Sequence, residues 1–215
     1  MNRWDLLNIL TKRHKLKSYL EIGLDDGYNF NQVQCESKES CDPYGDYRLE
    51  HDDLFDDSNN LRDDIRMILT YRMTSDEMFE QNNKKYDLIF IDGLHERHQV
   101  LRDIKNSLDH LNEGGYIVMH DCLPPREECQ VVPRVCEEWN GDVWKVLPYL
   151  KSLGVEFCVV DDDYGLGIIK YQKIDIDTSI EFDFNYDDYF SDNKIRNRVL
   201  NVISVDQFLE QLEQY

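Results

Sequence analysis

Two acidic residues close two apolar runs: Asp92 ends YDLIFID and Asp121 ends YIVMHD. Between them lie Val100, Leu101, Ile104, Leu108 and Leu111 on one helical stripe, then the break EGG. The stretch therefore reads as strand, helix, strand. Adjacent parallel strands joined by a crossover helix end at the same edge of the sheet, so the two carboxylates should converge there. His95 follows closely on Asp92, and an imidazole with an ordinary pKa near ~6.5 accepts a proton at neutral pH, which offers a general base. Plainer uses exist for both: Asp92 as the N-cap of the following helix, His95 as a surface residue at that helix's start. Capping does not exclude chemistry.

The other strand ends are also acidic. EIGLDDG follows the first strand, CDP the second and TSD the third. Gly23 and Gly27 permit a tight strand-to-helix turn and a close approach of backbone to ligand, which an ordinary turn would use as well. The three-glycine dinucleotide fingerprint is absent, and Asp25 and Asp26 would repel a pyrophosphate. A cofactor carrying a positive amine and a sulfonium would suit that charge, with Glu21 available to the amine.

The elements that must carry these residues follow from periodicity. RWDLLNILTK is a helix, SYLEIG a buried strand, GYNFNQVQC a brief helix and KESCDPYG a short strand. HDDLFDDSNNLRDD is an acidic connection, MILTYRM holds a third short strand, and Ser75 caps the helix SDEMFEQ. VWKVLPYLKSLG is a helix interrupted near Pro148, and VEFCVVDDD and GLGIIKYQK are strands joined by a turn at Tyr164 and Gly165. Alternating strands and helices predict an α/β domain with helices on both faces of a mainly parallel sheet, binding ligands beyond the strands' carboxyl ends. His98 and His110 read as solvated helix positions, and Trp139 and Trp144 as core or cleft wall.

Composition narrows the partners. The 215 residues hold 24 Lys plus Arg against 44 Asp plus Glu, a net charge of -20. That field repels nucleic acid and anionic lipid, and TKRHKLK is the one basic cluster. No apolar stretch reaches signal-peptide or membrane-span form, so a soluble, cytoplasmic protein is expected. Six cysteines without a metal-module spacing fit free thiols in a reducing compartment.

YLEIGLDDGYNF, CDPY, MTSDEMF, the long segment from YDLIFIDGLHERHQ to YIVMHDCLPP, and WNGDVWKVL arrive in an order that resembles class I S-adenosylmethionine-dependent methyltransferases of the small-molecule, sugar and catechol-like O-methyltransferase branch. The resemblance implies a seven-stranded Rossmann-like sheet of order 3-2-1-4-5-7-6 with the last strand antiparallel. It covers roughly residues 18–170, within a domain expected over 1–172, and 173–215 form an acidic extension with a terminal helix, either part of that domain or a lid or dimer arm. It also implies that Glu21, Gly23 and Gly27 form the first cofactor motif, Asp42 takes the ribose hydroxyls, Thr74, Ser75 and Asp76 wall the adenine, and Asp92 borders the cofactor. Asp25 departs from the motif, replacing its middle glycine. By the same resemblance Asp92 and Asp121 fall on a Mg²⁺ site, with His120 as a third ligand and His95, Asp92 and His120 as catalytic groups. Hard oxygen donors suit Mg²⁺ or another divalent cation. The implied acceptor is a hydroxylated small molecule, such as a sugar or polysaccharide precursor; a homodimer is compatible. Two other readings stay open at this level: a non-catalytic binding protein on the same fold and, with less support, a nicotinamide-dependent oxidoreductase.

Overall fold

The computed structural model describes residues 1–43 and 68–213. Helix α1 (Arg3–His14) begins at Asn2, whose side chain and that of Asp5 form a capping box, and it ends at Lys15 in the left-handed conformation. It buries Leu6, Leu7 and Leu10. The chain then enters β1 (Ser18–Ile22), α2 (Tyr28–Gln32) and β2 (Ser37–Cys41). The acidic connection expected over residues 51–64 lies outside the described residues.

The expected third strand is reduced to one parallel bridge, Cys41 with Tyr71. Its segment is held instead by side chains of the neighbouring strand, since Ser40 Oγ donates to the Ile68 carbonyl at 2.6 Å. Helix α3 (Ser75–Gln81) is capped by Thr74, not Ser75. Thr74 and Glu77 form a reciprocal capping box, which frees Ser75 to face inward, where it is 7% exposed.

The strand-helix-strand unit is β3 (Tyr86–Ile91), α4 (Arg97–Asp109) and β4 (Leu111–Met119). Leu111 starts the strand instead of closing the helix, pairing with Tyr86, and the Gly-Gly pair falls in an irregular stretch before Leu88 pairs with Tyr116. Gly115 is required there, because a Cβ would lie 2.7 Å from the Asp87 carbonyl oxygen. After a 3-10 turn at Val143–Lys145, α5 (Val146–Ser152) runs through Pro148 unbroken. Proline is tolerated in a first turn, where its missing N–H has no helical acceptor.

Strands β5 (Phe157–Val160) and β6 (Leu166–Lys170) are antiparallel, and β6 is antiparallel to β4. Helices α6 (Tyr186–Phe190) and α7 (Asn193–Val199) lead to β7 (Val202–Ile203), which pairs parallel to β5, and α8 (Val205–Glu213) ends the described chain. Among the described residues the sheet runs β2-β1-β3-β4-β6-β5-β7. This is the expected α/β order with the antiparallel strand in place; β7 is an added edge. Leu88 and Phe90 pack on the side of α1 and α2, while Ile89 and Ile91 pack with α4 and α5. Each fully buried aliphatic side chain contributes about 1.5 to 3 kcal/mol, and this double-sided burial fixes the strand ends that carry the site. No helix among the described residues is long and apolar enough to cross a membrane.

Candidate functional site

A cleft of about 450 Å³ opens beyond the carboxyl ends of β1, β2, β3 and β4. Its floor is set by a close crossing: Gly23 has φ 86°, and a Cβ there would lie 2.0 Å from the Asp92 carbonyl oxygen. Asp25 takes φ 47°, a left-handed conformation of the kind glycine adopts freely, and lines the cleft. Asp42 stands at the end of β2, where its Oδ2 accepts from the Leu24 N–H at 2.9 Å and so ties the β1–α2 loop to the cleft wall. Thr74 and Ser75 line the same cleft.

Three expected cofactor residues face elsewhere. Glu21 is 1% exposed and accepts from the Tyr19 hydroxyl and from Asn29 Nδ2 at 3.0 Å, because Glu21 shares the Tyr19 side of β1. Burial pushes its carboxyl up to about 8 against the lowering by those two hydrogen bonds. Gly27 starts α2 at φ 73° and abuts Ile68. Asp76 accepts from Arg102 Nε at 3.0 Å and from Asn106.

Beyond the ends of β3 and β4, in the same cleft, Asp92, His95, His120 and Asp121 come together. His95 Nε2 is 3.4 Å from Asp92 Oδ1, and its Nδ1 is 3.2 Å from Asp121 Oδ2. That Nδ1 lacks hydrogen-bond alignment and is buried without a partner. His120 Nδ1 is 3.2 Å from Asp92 Oδ1 and 3.3 Å from Asp121 Oδ1, while its Nε2 is 3.4 Å from Asp163 Oδ1. Burial opposes charge throughout, and mutual attraction outweighs it. The Asp92 carboxyl is held well below the usual range by His120, His95 and Arg3, and His95 and His120 are both raised by the carboxylates around them.

Sequence reasoning did not anticipate Arg3, Asn140 or Asp163 here. Arg3 Nη1 donates to Asp92 Oδ2 at 3.0 Å, and Asn140 Nδ2 donates to Asp121 Oδ1 at 2.5 Å. Trp139 stacks on the His95 ring with centroids 5.4 Å apart, and Gly141 crosses so close that a Cβ would lie 1.8 Å from the His95 carbonyl oxygen. The WNG segment is thus cleft wall; its signal was the motif WNGDVW, whose glycine marks the close approach. Trp144 is core. His110 is likewise part-buried, its ring nitrogens both 2.8 Å from carbonyl oxygens, of Asn106 and Asn82, so it is no solvated position.

One ligand atom each from Asp92, His95 and Asp121 lie within 4.8 Å of one another. This is a donor set that fits a divalent cation, and it groups His95, not the expected His120, with the two carboxylates. Both ring nitrogens of His120 already face Arg3 Nη1, at 3.0 and 3.2 Å.

The methyltransferase domain family matches residues 20–122, from β1 through the end of β4. That stretch of the chain is similar to methyltransferase domains. Solved structures agree on the fold. The O-methyltransferase from Bacillus cereus in complex with SAH is 13% identical, with 79% of this chain and 80% of that chain covered at a TM-score of 0.50. TomG from Streptomyces achromogenes, an O-methyltransferase in complex with SAM, is 12% identical over 80% of each chain at 0.51. The SAH-bound Podospora anserina methyltransferase PaMTH1 is 14% identical, covering 80% of this chain and 78% of that one at 0.53. Comparison with curated protein sequences returns no match.

Proposed function

We propose that this methyltransferase domain transfers a methyl group from S-adenosylmethionine to a hydroxyl of a small molecule such as a sugar or polysaccharide precursor. The observation that carries this reading is one continuous cleft lined by Gly23 and Asp42 together with Asp92, His95 and Asp121. Gly23 permits the close backbone crossing with Asp92 that forms the cleft floor, and Asp42, oriented by the Leu24 N–H, presents a carboxylate to a pair of vicinal hydroxyls. The similar structures from Bacillus cereus, Streptomyces achromogenes and Podospora anserina hold SAH or SAM, which supports the same cofactor here.

The cofactor, when bound, supplies an electrophilic methyl on a sulfonium. The chain's own residues then have three tasks. Gly23 and Asp42 seat the donor; Trp139 and Asn140 close the cleft over His95 and Asp121; and the charged cluster positions the acceptor oxygen and takes up its proton. Asp92, His95 and Asp121 would hold a divalent cation, whose chemistry is to lower the pKa of an acceptor hydroxyl. One imidazole beside two carboxylates suits Mn²⁺ as well as Mg²⁺. In the structure at hand the carboxylates raise the His95 pKa, so a cation and a proton compete for the same ring nitrogen.

Calorimetry with S-adenosylmethionine, followed by a methyl-transfer screen over hydroxylated small molecules and sugar nucleotides with and without Mn²⁺, tests the reading. Binding in the micromolar range and transfer to at least one hydroxyl are expected; absence of cofactor binding would overturn it.

A further inference from the structure

A second cavity, of about 360 Å³, adjoins the cleft that holds Asp92, His95 and Asp121, and Tyr164 lines both. All of its lining residues come after residue 122, where the match to the methyltransferase family ends. Three segments enclose it: the stretch after β4, the β5–β6 turn, and the acidic, aromatic extension through α6 and α7. They are tied to one another. The Tyr186 hydroxyl donates to the Pro124 carbonyl at 3.0 Å, and Arg196 Nη2 donates to Asp161 Oδ2 at 2.7 Å. The cavity is therefore built into the fold, and its size falls within the ~300 to 1,000 Å³ of small-molecule sites.

Tyr164 belongs to both walls at some cost to its turn. Gly165 N–H donates to the Asp162 carbonyl at 2.8 Å, and between them Asp163 has φ 45° and Tyr164 φ 58°. Asparagine and glycine fill two successive left-handed positions easily, whereas tyrosine does not, so the turn itself gives no reason for an aromatic ring. The ring is 43% exposed, its hydroxyl donates to Glu138 Oε1 at 2.8 Å, and it meets His120 edge-on with centroids 6.2 Å apart. Asp163 Oδ1 lies 3.4 Å from His120 Nε2, so the second cavity begins one residue away from the charged cluster.

The lining says which ligand fits. Leu123, Pro124 and Pro125, with Tyr186 and Phe190, give apolar surface. Asp161, Asp162 and Asp163 bring acceptors, and Asn193 and Arg196 bring donors. Three carboxylates beside one guanidinium, itself paired with Asp161, disfavour a phosphate or carboxylate ligand. A purely apolar ligand would strip water from those groups and return nothing. A hydroxyl both donates and accepts, so closely spaced hydroxyls suit Asp and Arg alike, while the C–H faces of a pyranose ring pack on the apolar and aromatic surface. We propose that this cavity is an acceptor subsite that seats a second, uncharged sugar unit beyond the one whose hydroxyl is methylated, with the linkage between the two passing Tyr164. The inference rests on the methyl-transfer reading above and narrows its acceptor to a disaccharide or longer glycoside.

Two variants test this. Asn193 is exposed at the start of α7, so Asn193→Trp fills the cavity without disturbing the core. Tyr164→Gly removes the shared wall and suits the left-handed backbone. Saturation-transfer NMR titrations would compare cellobiose, maltose and mannobiose with methyl glucoside and methyl mannoside. Wild type is expected to bind at least one disaccharide about tenfold or more tightly than its matching methyl glycoside, and both variants to lose that advantage. Mass spectrometry after incubation with S-adenosylmethionine should place the new methyl on one unit of that disaccharide only. Circular dichroism checks folding; should Asn193→Trp not fold, Tyr164→Gly decides. No binding of any disaccharide, equal affinities for the two classes, or an advantage that survives the folded variant overturns the inference. Tighter binding of tetramethylammonium or inorganic phosphate than of any saccharide, lost in Asn193→Trp, overturns the assignment to sugar. Disaccharide binding that Asn193→Trp removes, in a protein that calorimetry shows not to bind S-adenosylmethionine, overturns the methyl-transfer reading and the acceptor role with it.

Discussion

Arg3 Nη1 lies 3.0 Å from Asp92 Oδ2, across 89 residues of sequence, and joins the first turn of α1 to the end of β3. The same nitrogen is 3.0 Å from His120 Nδ1, while the Arg3 backbone N–H donates to Asp163 Oδ2 at 2.7 Å. The Met1 ammonium pairs with Asp162. The N-terminus is therefore pinned between the ends of β3 and β4 and the β5–β6 turn, and it brings one permanent positive charge into a cleft in an acidic protein.

Removing that charge should have two opposite effects. Arg3→Met keeps most of the side chain's length but leaves Asp92 without its guanidinium, so the unbound protein should lose about 1 to 3 kcal/mol of stability. Denaturant unfolding measures this. Divalent-cation affinity should rise, because the guanidinium no longer offsets the Asp92 charge. Calorimetry with Mn²⁺ should show tightening of several-fold; weaker binding would mean that Arg3 supports a cation site instead of competing with it.

Asp42 serves the loop and the cleft together. Asp42→Ala removes both the acceptor for Leu24 N–H and the carboxylate proposed to take the ribose hydroxyls, and should weaken S-adenosylhomocysteine binding by about 1.5 to 3 kcal/mol. Asp42→Asn can keep the loop contact and should fall between wild type and alanine. Equal losses in the two variants would assign the whole effect to charge; unchanged affinity in both would move the ribose away from β2.

Glu21 gives a pH dependence with a definite sign. Its carboxyl sits at about 8 in the folded chain because of burial, opposed by Tyr19 and Asn29, whereas in an unfolded chain it ionises near its ordinary value of 4.5. Between those values the folded state holds a proton that the unfolded state has released. This group's contribution to stability therefore falls as pH rises through the window, by up to about 1.4 kcal/mol for each unit, and levels off above the folded value. Glu21→Gln imitates the neutral acid and can keep the Tyr19 and Asn29 contacts. Its melting temperature relative to wild type should climb from about pH 5 to about pH 8. Parallel curves would show that Glu21 ionises without cost. Cofactor affinity near pH 6 should change little, since the side chain faces away from the cleft.

The parts of this architecture that could be read in advance are those written in local patterns. Leu88 to Ile91 and Ile117 to Met119 are apolar runs that only a strand covered on both faces would bury, with Asp92 next after the first and Asp121 two residues after the second. MILTYRM is equally apolar, yet among the described residues only Tyr71 pairs with the sheet, while Ile68 and Thr70 are held by bonds with the Ser40 side chain. Thr74 and Ser75 are both good caps, and the choice between them depended on Glu77 reaching back and on Asp103 claiming the Ser75 hydroxyl. Glu21 illustrates the limit from the other side. Its motif pointed to a ligand, but strand alternation turned it toward Tyr19. Arg3 left no trace in any motif, since its partner is brought close only by the packing of α1 on the sheet.

The trio of Asp92, His95 and Asp121 makes the boldest demand on the chemistry. If these residues hold a divalent cation during turnover, methyl transfer should vanish in EDTA and return with Mn²⁺ or Mg²⁺. Cofactor binding should survive chelation, because Gly23 and Asp42 line the cleft without belonging to the trio that would hold the cation. His95→Gln removes the imidazole while leaving both carboxylates, and should weaken Mn²⁺ binding at least about tenfold without unfolding the protein. Asp121 requires more care: its Oδ1 accepts from Asn140 Nδ2, so Asp121→Asn confronts one amide with another and can distort the WNG segment as well as the site. Pairing it with Asn140→Asp reverses the hydrogen bond and separates the two effects. Cation affinity that returns in the double variant would show that a carboxylate at this end matters more than its address. Full methyl transfer in EDTA would instead leave His95 and the two carboxylates to orient the acceptor and remove its proton unaided, and the rate should then rise with pH as His95 loses its own.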